Sequence, residues 1–158
     1  MRRTKVIAAV LCAGMLVPGV AVATPAPDTT TQHVQDHLLS ATVIARLSRQ
    51  DVVDYLADYE LDTSAVRGGV DLYLLKYRTT GVNGRPTTAS ALVVLPHTRE
   101  HTLRTVTWLH GTRVFRGDTG SLSDNLDRAA AVLFAGAGYA TVAPDYLGLG
   151  TGPGHHPY

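Results

Sequence analysis

The chain has 158 residues and a formal net charge of +1, with 45% apolar and 17% charged residues. That composition suits a globular protein and excludes an intrinsically disordered one, and the length allows one modest domain. The near-neutral charge argues against nucleic acid or an anionic membrane surface as a partner.

Residues 1–23 read as a cleaved signal peptide. Arg2, Arg3 and Lys5 form a basic start, Val6 to Val17 is apolar, and Pro18-Gly19 breaks the run. Ala21-Val22-Ala23 then supplies the small-x-small pattern that a signal peptidase cuts, so cleavage is expected near Ala23. Pro18-Gly19 and the short apolar core disfavour a stable membrane anchor. Lys5 spoils a twin-arginine reading, and Leu11 before Cys12 spoils a lipobox. Losing three cations moves the formal charge from +1 to −2. Cys12, the only cysteine, leaves as well. The exported chain is therefore expected to lack disulfides, Cys-bound zinc and a thiol nucleophile.

Residues 24–32 (T-P-A-P-D-T-T-T-Q) are polar, contain proline and read as a linker. His33 and His37 have helical spacing but fall in a leader with little to fix them. From Arg49 to about Glu60 the spacing predicts a helix capped by Ser48, with Asp51 in its first turn and Val52, Val53, Leu56 and Tyr59 on one face. Val70 to Thr79 alternates as a strand, Asn83-Gly84 marks a turn, and Thr88 to Leu95 is a second strand. The short connection makes them an antiparallel hairpin. Arg104 to Leu109 is a third strand. Ser123 is expected to cap a helix from Asp124 to about Ala135, ended by Gly136 and Gly138. Tyr139 to Ala143 is apolar on both faces, as a buried parallel strand is. The expected fold class is α/β: an antiparallel hairpin followed by a parallel βαβ unit with a right-handed crossover.

Two loops leave the carboxyl ends of strands, where open α/β sheets bind ligands. The first follows W-L-H-G-T, Trp108 to Thr112. Gly111 lets the backbone turn its amides outward, so the Thr112 N–H can stabilise an oxyanion; alternatively Gly111 only permits a tight turn. The second loop, P-D-Y-L-G-L-G-T-G-P-G-H-H-P-Y, is rich in glycine but has no lysine and no Rossmann spacing, so it is not read as a nucleotide cradle. His97-Thr98-Arg99-Glu100-His101 spells His-x-x-Glu-His, a zinc peptidase pattern that needs a helix; between two strands it reads as a surface turn. His155-His156 reads as part of a polar mouth loop. No cofactor and no metal site are expected.

Val70 to Pro96, W-L-H-G-T and A-P-D-Y-L-G-L-G with the terminal H-P-Y resemble the N-terminal part of an α/β-hydrolase, in particular secreted lipases and esterases of the secretory lipase type. The resemblance implies a serine acyl-enzyme hydrolase acting on a small-molecule or lipid ester without a cofactor. It assigns the oxyanion-hole loop to His110, Gly111 and Thr112, with the Thr112 backbone N–H as donor. The expected Gly-x-Ser-x-Gly nucleophile elbow is absent from the sequence. Ser121 and Ser123 sit just before a helix, where capping explains them. Residues 33–158 are thus expected to form a truncated α/β-hydrolase fold, with the nucleophile, acid and base of the triad beyond Tyr158. Such a chain is expected to be inactive alone. The alternative is a non-catalytic secreted binding protein, or a relic, built on half a hydrolase scaffold.

Overall fold

The computed structural model describes residues 37–157. The expected signal peptide, the linker and His33 lie outside them. Five strands and two helices follow in chain order: β1 (Leu38–Leu47), α1 (Arg49–Ala57), β2 (Val70–Thr80), β3 (Pro86–Pro96), β4 (Thr105–Thr107), α2 (Leu126–Gly136) and β5 (Ala140–Pro144). One sheet holds all five strands in the order β1-β2-β3-β5-β4.

The expected hairpin is β2 and β3, paired antiparallel from Val70↔Pro96 to Thr80↔Pro86. Gly84 takes a φ of 73° in the connecting turn, a conformation that glycine adopts without a Cβ clash. The expected βαβ unit is β4-α2-β5, with β4 and β5 parallel from Thr105↔Ala140 to Thr107↔Val142. β5 also pairs antiparallel with β3 and so joins hairpin and parallel unit into a mixed sheet.

The leader reading of the residues around His37 is corrected by β1, which pairs antiparallel with β2 along its length. Most of its side chains are exposed, so the apolar-polar alternation that betrays a half-buried strand is absent. Bulges at Leu38/Ser40 and Val43/Ala45 disturb the period further.

Ser48 caps α1 as expected. Its hydroxyl accepts from the Asp51 amide at 3.2 Å, and the Asp51 carboxylate accepts from the Ser48 amide at 2.8 Å, a complete capping box. Asn125, not Ser123, caps α2, accepting from the Arg128 amide at 3.1 Å. Both residue types cap well, and register decides between them.

Val52 and Leu56 of α1 meet Ala129, Ala131, Val132 and Ala135 of α2 over Val70 and Leu72 of β2 and Leu92 and Val94 of β3. Residues two apart on each strand share this face. The small residues of α2 let the helices approach closely: a Cβ at Gly136 would stand 3.1 Å from Val52 Cγ1. Tyr55 and Tyr59 reinforce the contact by donating to the Asp124 carboxylate at 2.6 and 3.1 Å.

Candidate functional site

The parallel pair β4 and β5 end side by side, and the loops leaving them meet. His110, Gly111 and Thr112, the predicted site residues, follow β4. Together with Tyr146 and His156 from the β5 loop they line a cleft of about 310 Å3.

His110 is 8% exposed. Its Nδ1 lies 2.7 Å from the Gly111 carbonyl oxygen and its Nε2 3.4 Å from that of Asp145. A carbonyl oxygen only accepts, so a ring with one proton donates to one of them, and the shorter distance places that proton on Nδ1. Tyr146 returns the contact. Its hydroxyl donates to the His110 carbonyl oxygen at 3.2 Å, and its ring centroid lies 4.2 Å from that of His110. The Tyr146 ring also stacks on His156, whose Nδ1 stands 2.8 Å from the Leu147 carbonyl oxygen.

Gly111 and Thr112 are exposed. Among the described residues, neither amide donates to a carbonyl or a side chain. Neither a left-handed turn nor a close backbone approach accounts for the glycine at 111. Its φ lies outside the left-handed region, and a Cβ added there would meet nothing within 4 Å. The fold of this chain therefore does not require glycine at 111.

The frame beneath the loop is polar and partly buried. Trp108 Nε1 donates to Asp127 at 3.0 Å, and Arg113 reaches the other carboxylate oxygen at 2.5 Å, so one acid at the start of α2 holds both ends of the segment 108–113. Burial raises the Asp127 pKa, but these two hydrogen bonds and the Arg113 charge outweigh it and hold the carboxyl below its ordinary range.

On the β5 side Asp145 is 1% exposed. It accepts from Ser90 Oγ at 2.6 Å and Ser121 Oγ at 2.5 Å. Ser90 Oγ in turn accepts from the Thr151 amide at 2.9 Å. The capping role expected of Ser121 and Ser123 is thus corrected: Ser121 serves Asp145, and Ser123 donates to the Gly117 carbonyl at 2.5 Å. Because Ser90 and Ser121 hydrogen bond a buried carboxylate, they hold structure and are not presented as nucleophiles.

Sequence reasoning missed Tyr146 as a site residue. The available signal was its place in the loop after a buried strand, but its φ of 67°, unusual for a residue with a side chain, leaves no trace in composition. The His97–His101 turn behaves as expected of a loop. His97 Nε2 lies 2.8 Å from Asp71 Oδ1 and ties the end of β3 to β2. Among the described residues no group of three or more His, Cys, Asp or Glu side chains is arranged to hold a metal. None of the described helices is long and apolar enough to cross a membrane.

A mixed sheet with its helices packed on it and two loops meeting at the carboxyl ends of a parallel strand pair defines an α/β chain, and its fold matches those of solved hydrolases. Solved structures with this fold include a protein assigned as a hydrolase from Legionella pneumophila, 32% identical, with a TM-score of 0.60 over 73% of this chain. They also include the rice cell wall degrading esterase LipA from Xanthomonas oryzae, 26% identical, with a TM-score of 0.65 over 78% of this chain. The match covers 32% of each of those chains, so this sequence spans about a third of their length. No family model and no curated protein matches the chain.

Proposed function

We propose that this chain is the N-terminal part of a secreted serine ester hydrolase of lipase or carboxylesterase type, and that it supplies the oxyanion-binding loop and not the nucleophile. The observation that carries this reading is that the amides of two exposed residues, Gly111 and Thr112, donate to no described residue and lie beside a cleft at the carboxyl end of a parallel strand. Backbone N–H groups so placed stabilise the negative charge that develops on a carbonyl oxygen during acyl transfer. The substrate class is a carboxylic ester, by analogy with the esterase of similar fold. Acyl transfer also needs an activated serine, and Gly-x-Ser-x-Gly does not occur in the sequence. The chain alone is therefore inactive, and the complete enzyme forms an acyl-serine intermediate without a cofactor.

Two measurements test this. The purified chain is expected to leave p-nitrophenyl acetate and butyrate intact; turnover blocked by a serine-reactive phosphonate would overturn the inactivity. Reading the gene past the Tyr158 codon is expected to reveal, in frame or after a one-base shift, a Gly-x-Ser-x-Gly followed by Asp and His codons. A firm stop followed by unrelated sequence would favour a non-catalytic binding protein instead.

A further inference from the structure

The ends of β4 and β5 are joined by a reciprocal clasp. The His110 side chain faces the backbone carbonyl of Asp145, and the Tyr146 side chain donates to the backbone carbonyl of His110. The same imidazole faces the Gly111 carbonyl. Two successive carbonyls, those of His110 and Gly111, are thus each held by a side chain.

A trans peptide is planar, with its N–H opposed to its C=O, so holding one fixes the direction of the other. The Gly111 amide points away from the Tyr146 hydroxyl, and the Thr112 amide points away from the His110 ring. Tyr146 holds this position with its backbone in the left-handed conformation at φ 67°. Such an outlier persists where the surroundings enforce it, and it is common at functional sites. Here the Tyr146 ring is in contact with the rings of His110 and His156.

We propose that Tyr146 is a positioning residue: its hydroxyl orders the His110–Gly111 peptide so that two consecutive amides, Gly111 as well as Thr112, are presented to one oxyanion. The inference rests on the oxyanion reading of the loop. Its test does not, because it reads amide order in this chain without catalysis.

The experiment compares backbone 15N relaxation, in TROSY form, of the wild-type chain and Tyr146→Phe, which keeps the ring and removes only the hydroxyl. In the wild type the order parameters of Gly111 and Thr112 are expected to match rigid backbone, about 0.85. In Tyr146→Phe they are expected to fall below about 0.6, the flexible range, while those of β5 and α2 stay unchanged. A purely structural role would loosen β5 and its loop together or lower the melting temperature. Unchanged order at 111 and 112 in a folded Tyr146→Phe overturns the proposal.

Should that variant fail to fold, nuclear Overhauser contacts in the wild type decide. The Gly111 amide proton is expected to show no strong contact to the Tyr146 ring protons, nor the Thr112 amide proton to the His110 ring, and such contacts overturn the proposal. Rigid, correctly directed amides in a chain whose gene encodes no downstream nucleophile would leave the positioning intact and sink the hydrolase reading instead.

Discussion

The Ser121 hydroxyl donates to the Asp145 carboxylate across 2.5 Å, joining the turn that leads into α2 to the loop that leaves β5. Both residues are buried, and the second donor to the same oxygen is Ser90 on β3. A buried carboxylate costs stability unless its hydrogen bonds are made. Removing one donor leaves part of that cost unmet.

Ser121→Ala is therefore expected to lower stability by about 1–3 kcal/mol, the range for leaving a buried polar group unpaired. Gly150→Ala is expected to do more harm. Its φ is 58°, and the added Cβ would stand 2.3 Å from Asp145 Oδ2 and 2.4 Å from Ser90 Oγ, so the loss is about 3 kcal/mol or more. Urea denaturation followed by far-UV circular dichroism measures both. A Ser121→Ala midpoint equal to that of the wild type would show that Asp145 does not need the bond.

Gly111→Ala is the opposite case. With an ordinary φ and open space at Cβ, alanine is expected to be neutral or to stabilise by about 0.4–1 kcal/mol through the unfolded state. The same substitution in a complete, active enzyme is expected to lower kcat, because the methyl group enters the approach to the amides. A loss of stability in this chain would mean that glycine serves the fold at 111 and would remove one argument for a site there.

Asp127 carries a pH dependence whose sign is fixed. Its folded pKa lies below the ordinary value, because the bonds from Trp108 and Arg113 outweigh burial. Its stabilisation is therefore fully present above the unfolded pKa, about 3.9, and is lost as pH falls through the depressed folded value. Asp127→Asn is expected to cost about 2 kcal/mol at pH 7, as for a hydrogen-bonded charge, and the gap to wild type is expected to close as pH drops below about 4. Urea midpoints from pH 7 to pH 2, read by the fluorescence of Trp108, the only tryptophan, check this. A gap that stayed constant with pH would assign the cost to packing.

Much of this was legible in the sequence because local chemistry and global fold agreed. Asn83-Gly84 between two alternating runs specified the hairpin, and Ser48 with Asp51 specified the start of α1. The parallel pair followed from a doubly apolar β5 after an amphipathic helix. What escaped was non-local. β1 buries almost nothing and owes its existence to pairing with β2, which no window of its own sequence records. Asp145, Ser90 and Ser121 are far apart in sequence and meet only when β3, β5 and the turn before α2 are assembled. Tyr146 looked like any loop aromatic until its backbone conformation placed it against His110. His110, Gly111 and Thr112 were visible because a glycine after a strand end is a local signal.

β4 explains why this chain is expected to associate. It pairs with β5 along one edge, and among the described residues no strand pairs with the other. The loop beyond it exposes Leu109 at 63%, Phe115 at 67% and Val114 fully, the last two adjacent between Arg113 and Arg116. An unpaired strand edge beside exposed apolar side chains is a template for another chain. Sizing chromatography over a hundredfold range of concentration is expected to show elution shifting toward larger species as concentration rises. Replacing Val114 and Phe115 together by serine removes apolar surface that the fold leaves in water. It is therefore expected to shift elution toward the monomer while changing stability by no more than about 0.5 kcal/mol, as surface substitutions do. A chain that elutes as a monomer throughout would show that three residues of open edge are too short to recruit a partner, and that the exposed side chains serve some contact other than self-association.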